Sequence, residues 1–340
     1  MLNASASSPL SRRDWLRTAA AGSLALIRSS LFAAPAKPRK ARIAITLDLE
    51  MSAQYPQREL TEWNFEKGNL DEATKKYSVD AAKVAIEQGG VIHFFCVGRV
   101  LEQPSVDWLK QLAADGHAIG NHTYDHVNVK ATKPEETQFR FQRAPWLIEG
   151  LTAREIIDRN IRVTTKSLKA RTGIEVNGFR TPGGFNNGLT DRPDVQQMLL
   201  DQGFSWVSSK YPAHLFGKVG ETPTAEILDS IVKAQADAQP FVYPSGLIEI
   251  PMSPISDVGA FRSTRWSLDS FLTATRLSVQ WAIEHRAVFD LLVHPSCLVV
   301  EDPEFKIIRQ IADLVRAAGD RAEFVTLDRI AADEKSFGKK

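Results

Sequence analysis

The sequence predicts an α/β fold built on one parallel sheet. Three observations lead there: short apolar runs alternate with stretches of helical periodicity, about eight such units follow one another, and polar residues collect where the runs end. Eight strand–helix units can close into a (β/α) barrel, and barrel chemistry sits at the C-terminal ends of the strands.

The expected strands are 42–47, 91–97, 117–120, 176–180, 205–208, 247–251, 288–294 and 323–326. Helices are expected over 78–88, 105–115, 152–171, 194–202, 268–285 and 303–318. Ser105 and Thr152 are suited to cap their helices, and Glu155, three residues after Thr152, completes a capping box. Gly89, Gly90, Gly173 and Gly319 stand where helices should stop. Two stretches break the repeat, 51–70 and 210–245, the second with a helical piece near 225–236. Both read as loops on the strand-end face, where substrate contacts are built.

Composition narrows the partners. The 340 residues carry 42 Lys+Arg against 41 Asp+Glu and show no basic run in the body of the chain, which argues against nucleic acid. The only two cysteines, Cys96 and Cys297, cannot form a cysteine zinc site. They can be bridged or free, and two buried thiols are expected. Any metal must therefore come from His, Asp and Glu.

The charge is unevenly placed. Residues 1–36 hold four arginines against one aspartate, a charge of +3, so an overall +1 leaves −2 for the remainder. Ser11-Arg12-Arg13-Asp14-Trp15-Leu16-Arg17, the small apolar run after it and Ala34-Pro35-Ala36 together resemble a twin-arginine export signal. The expected organisation is a signal over 1–36, a linker over 37–41, one catalytic domain over 42–332 and a polar tail over 333–340. Export implies a periplasmic or secreted protein with no membrane span left after processing. A slightly acidic mature chain suits an uncharged glycan.

The strand ends carry the chemistry. The first ends Thr46-Leu47-Asp48-Leu49-Glu50, whose two acids alternate and so can face the same way. The third runs into Asn121-His122-Thr123-Tyr124-Asp125-His126, and a His pair at i and i+4 would share one face of a helical turn. The fourth ends Arg180-Thr181-Pro182-Gly183-Gly184 and the seventh Leu292-Val293-His294. Together they describe a mononuclear metal hydrolase with two His and one carboxylate on the cation, a second carboxylate as base and a third His as acid.

The string from Gly116 to His126, Gly-His-Ala-Ile-Gly-Asn-His-Thr-Tyr-Asp-His, resembles the second motif of the polysaccharide deacetylase family, the NodB homology domain of carbohydrate esterase family four. Ile92–Gly98, Phe179–Gly184 and Leu291–His294 are similar to its other motifs, in order, over nearly the whole chain after the leader. The resemblance implies a distorted (β/α) barrel of seven or eight strands and a divalent cation, zinc in many members. It implies removal of acetyl groups, N-acetyl before O-acetyl, from a cell-wall or extracellular polysaccharide.

By position it makes His122 and His126 metal ligands, His294 the general acid and Arg180 the group that orients the base. The first motif departs from the family's T-F-D-D, with Leu49 where the second Asp belongs. Asp48 then matches the base and Glu50 is the nearest third ligand. The reverse assignment stays open, with Asp48 on the metal and Glu50 as base. No acid stands in the usual place to tune His294; Asp201 and Asp257 are the ones considered.

Tyr55, Trp63, Phe65 and Trp266 could stack on a sugar, although satellite core is the commoner fate of loop aromatics. Two other functions share the frame: a carbohydrate-binding barrel that has lost turnover, and a small-amide hydrolase resembling allantoinases.

Overall fold

The computed structural model describes residues 39–55 and 67–337. The folded unit begins at Lys40. The expected leader over 1–36, and Trp63 and Phe65, lie outside the described residues.

Among the described residues nine strands form one sheet: β1 Ala41–Leu49, β2 Ile92–Cys96, β3 Ala118–Asn121, β4 Gly178–Phe185, β5 Trp206–Lys210, β6 Phe241–Val242, β7 Ile248–Glu249, β8 Val288–Val293 and β9 Ala322–Phe324. Their order is β6-β7-β5-β4-β3-β2-β1-β8, with β9 also on β1. The pairs are parallel except β6 with β7. β8 occupies one edge of β1, so β9 must share the opposite edge with β2, pairing Ala41–Ile43 while β2 pairs Ile45–Leu49.

The chain after β7 spans the gap between β5 and β8. Ile250 and Met252 donate their N–H groups to Val207 and Lys210 of β5, at 2.8 and 2.9 Å. Ser253 donates to Asp290 of β8 at 2.9 Å, and Ser256 bridges Leu292. The expected barrel is thus present and distorted, because single hydrogen bonds rather than a ladder complete the circle.

Every residue of β1 is buried, as a parallel strand covered on both faces requires. This is why its acids at 48 and beyond can be held away from water. The capping box at Thr152 forms: its Oγ1 accepts from Glu155 N–H at 3.3 Å, and Glu155 Oε2 accepts from Thr152 N–H at 2.8 Å. Gly173 ends that helix at φ 76, a conformation that costs glycine little.

Several boundaries move. The helix expected over 78–88 begins at Glu72, because Asp71 caps it by accepting from Thr74 N–H at 2.7 Å. At the next helix Val106, not Ser105, holds the N-cap position; Ser105 Oγ accepts from Asp107 N–H at 3.3 Å. The helix expected from 303 starts at Lys306, where Asp302 accepts the free N–H groups of Lys306 and Ile307. A separate helix, Pro295–Glu301, precedes it. β6, two residues long, has no periodicity to read. The helix Leu327–Phe337 runs through residue 332, and Arg42 holds its Glu334 at 2.6 Å. No helix among the described residues is long and apolar enough to cross a membrane.

Candidate metal centre and catalytic site

Strand ends β1, β3, β4 and β8 converge on one cavity of about 220 Å³. Asp48 is the penultimate residue of β1, paired with Phe95 of β2, and a tight turn in which Glu50 N–H donates to Asp48 carbonyl at 2.9 Å sends Glu50 into the same space. Both acids line the cavity, as their alternating spacing predicts, with His122, His126, Arg262 and His294.

The histidine pair is present, but not on a helical turn. Residues 122–126 form an irregular loop, and both Thr123 and His126 sit at φ 58. A β-branched residue in the left-handed region is strained, so surrounding bonds must impose it. Thr123 N–H donates to Asn121 Oδ1 at 2.8 Å, its Oγ1 accepts from Val127 N–H at 3.0 Å, and Asp125 N–H donates to Asn160 at 2.7 Å. The two imidazoles are thus brought together by a loop and not by the helical turn that their spacing suggests.

His122 Nδ1 lies 2.9 Å from the carbonyl of Arg180. With Nδ1–H donating there, Nε2 turns to the cavity as a lone pair. His122 Nε2 is 3.6 Å from Glu50 Oε2 and 3.6 Å from Asp48 Oδ2, while His126 Nε2 is 2.7 Å from Glu50 Oε2. Ligand atoms of Glu50, His122 and His126 all lie within 4.8 Å of one another. Glu50 Oε2 is buried yet has no hydrogen-bond partner. An orphaned carboxylate oxygen facing two imidazole nitrogens fits the two-nitrogen, one-oxygen donor set of a zinc-type site with an open fourth position.

The electrostatics agree with that fit. Burial alone would raise the Glu50 carboxyl, but His126 and Lys67 beside it hold it well below the usual carboxylate range. Burial pushes His126 down to about 3, leaving the neutral imidazole a cation needs. The Lys67 ammonium pairs with Glu50 Oε1, and burial lowers its pKa against that attraction.

His294 faces Glu50 from the end of β8, with Nε2 3.4 Å from Oε1. Asp257 holds it from behind, accepting from His294 N–H at 2.8 Å and standing 3.0 Å from Nδ1. Burial opposes charge on this ring, but Asp257 overcomes it and the pKa rises to about 9. Of the two acids considered as its partner, Asp257 is at the site, whereas Asp201 ends a surface helix and accepts from Gln197.

Arg180 is fully buried and stacks 4.3 Å from the centre of the Phe95 ring. It donates to Asp48 Oδ1 at 3.3 Å, to Thr46 at 2.6 Å, to Ser208 at 3.1 Å and to Asp290. Burial lifts the Asp290 carboxyl to about 6 despite this pairing. Replacing Arg180 by Met should cost about 3–5 kcal/mol of stability, because both carboxylates are left buried without their cation. Urea unfolding at neutral pH measures it; a change under about 1 kcal/mol would show that the pair is not structurally coupled.

Asp290 and Lys67 escaped sequence reasoning. Asp290 did leave a signal, a lone acid inside the apolar run Val288–Val293. Tyr55 and Trp266 are buried at 2% and 5% exposure, so they serve the core and not a sugar platform. Both cysteines are free and buried, as expected.

Residues 63–200 match a family model described as polysaccharide deacetylase. A chitooligosaccharide deacetylase of Azorhizobium caulinodans is 36% identical over 72 residues, which is 21% of this chain and 33% of that protein. The match therefore spans about a third of the relative's length. Two crystal structures assigned to polysaccharide deacetylases share the fold. The one from Mycobacterium smegmatis has a TM-score of 0.58 at 15% identity, covering 88% of this chain and 92% of the other. The one from Pseudomonas aeruginosa has a TM-score of 0.55 at 12% identity, covering 86% and 89%.

Proposed function

We propose that this chain, a member of the polysaccharide deacetylase family, is a metal-dependent hydrolase that removes acetyl groups, N-acetyl in the first place, from a cell-wall or extracellular polysaccharide. The observation that carries the reading is the convergence of Glu50, His122 and His126 beside Asp48 and His294. Glu50 is assigned as the third ligand and Asp48 as the base, since Glu50 Oε2 is orphaned and faces both imidazoles, whereas Asp48 is held by Arg180. A divalent cation at these residues, zinc by its donor set, would polarise the acyl carbonyl and acidify water.

The remaining chemistry belongs to side chains. Asp48, held by Arg180, takes the proton of the attacking water. Gly183 and Gly184 line the cavity where the β4–β5 register breaks, so a backbone N–H there can face the developing oxyanion. A Cβ on Gly184 would lie 2.6 Å from that of Tyr211, which is why glycine is needed for the approach. His294, cationic through Asp257, then protonates the leaving nitrogen, and the C–N bond breaks to acetate and amine.

An acid, a base and a ligand set all present support turnover over binding alone. Acetate release from N-acetylglucosamine oligomers, peptidoglycan, acetylxylan and a small cyclic amide tests the reading. Release from an acetylated polymer is expected; ring opening of the cyclic amide with no acetate from any polymer would overturn it.

Lys67→Met should weaken zinc affinity by about 10–100-fold, because Glu50 loses the partner that orients it. Competition with a chromophoric chelator measures this, and unchanged affinity would remove Lys67 from the site's support. Residues 1–36 motivate the further proposal of periplasmic or secreted location. Fractionation of cells expressing Arg12→Lys/Arg13→Lys, with the chain retained in the cytoplasm, is the expected result; normal export would contradict it.

A further inference from the structure

Arg262 lines the cavity as a cation to which the proposed reaction gives no part. It stands on a π-helical turn, Val258–Ser263, directly after Asp257, the residue that holds His294. Single π turns of this kind collect at functional sites. Its side chain lines the cavity together with the ligands and His294. Its Nε is buried and has no hydrogen-bond partner.

The acids around it are already engaged. Glu50 is held by Lys67, Asp48 and Asp290 by Arg180, and Asp257 by His294. No described carboxylate forms an ion pair with Arg262, yet it lies close enough to Lys67 for its charge to oppose that ammonium. Because Nε is closed off and the residue as a whole is half-buried, the outer edge of the guanidinium is what a ligand in the cavity can meet, and its two parallel N–H groups match the two oxygens of a carboxylate.

Resting on the deacetylase reading, we infer that Arg262 receives a carboxylate of the substrate, so that the preferred substrate is an acidic acetylated sugar and not a neutral one. The net charge of −2 after residue 36 pointed toward an uncharged glycan. That charge is spread over a surface and screened within roughly 8–10 Å, whereas Arg262 acts at contact inside the cavity.

The test uses the zinc-loaded full chain and two matched probes: N-acetylmuramic acid, which carries a carboxylate on its lactyl ether, and the neutral amide of that carboxylate. Wild type should favour the acid by about tenfold or more in kcat/KM, and Arg262→Gln should bring the two probes nearly level. Arg262→Lys, which keeps charge but loses the two-point edge, should restore part of the preference. Calorimetric binding of both probes to the zinc-loaded His294→Ala protein and to its Arg262→Gln double variant gives a readout independent of turnover. Hydrolysis of both probes with no preference, or a preference that survives Arg262→Gln, overturns the inference and leaves the deacetylase reading intact. Arg262-dependent binding of the acid without hydrolysis sustains the inference and overturns the deacetylase reading. Neither binding preference nor hydrolysis overturns both.

Discussion

His122→Ala is expected to abolish acetate release and zinc retention together. The imidazole contributes one of three donors that lie within 4.8 Å of one another, and its orientation is fixed by the bond from Nδ1 to the Arg180 carbonyl. Two donors remain after the substitution, and one of them, Glu50, is already paired with Lys67. Sites that normally hold zinc through three protein ligands should lose most of their affinity at that point. The purified variant should carry well under one zinc per chain while wild type carries one, read by elemental analysis after dialysis. A variant with full zinc content and no activity would place the metal elsewhere.

His294→Ala is expected to separate the two properties. This ring faces the site through Nε2 but is held by Asp257, so its loss removes the proton donor and leaves Glu50, His122 and His126 in place. Turnover should fall by about 10²–10⁴-fold, the range for a positioned general acid, with zinc content unchanged. Asp48→Asn should behave in the same way through loss of the base. If His294→Ala and His122→Ala lose zinc equally, the division between acid and ligand is wrong. If Asp48→Asn loses zinc while Glu50→Gln keeps it, the two carboxylates exchange roles.

Much of the site could be read before the fold was known. The Gly116–His126 string and the acids at 48 and 50 sit at the ends of strands whose apolar runs are unmistakable, so their convergence follows from a parallel sheet. The i and i+4 spacing suggests a helical turn, but the loop reaches the same result through left-handed backbone at Thr123 and His126, with Asn121 holding Thr123 and Asn160 holding Asp125 between them.

Local spacing does not fix partners brought in from elsewhere in the chain. Asp257 meets His294 from 37 residues away, on the irregular segment that completes the barrel, and no periodicity marks its position against that of Asp201. Asp290 meets Arg180 across 110 residues, and Lys67 meets Glu50 at the end of a stretch with no regular pattern. Their value lies in filling charge balance inside a buried site, a property that depends on three-dimensional burial and not on local spacing. Sheet closure was hidden for a related reason, since it rests on single hydrogen bonds of residues 250–256.

The central claim is that acetyl hydrolysis depends on a cation at Glu50, His122 and His126. Acetate release from N-acetylglucosamine oligomers should be measured on the wild-type chain before chelation, after chelation and dialysis, and after one equivalent of zinc is returned. The account predicts activity, its loss, and its recovery in that order. Undiminished acetate release from the chelated protein, with zinc shown to be absent, would contradict it.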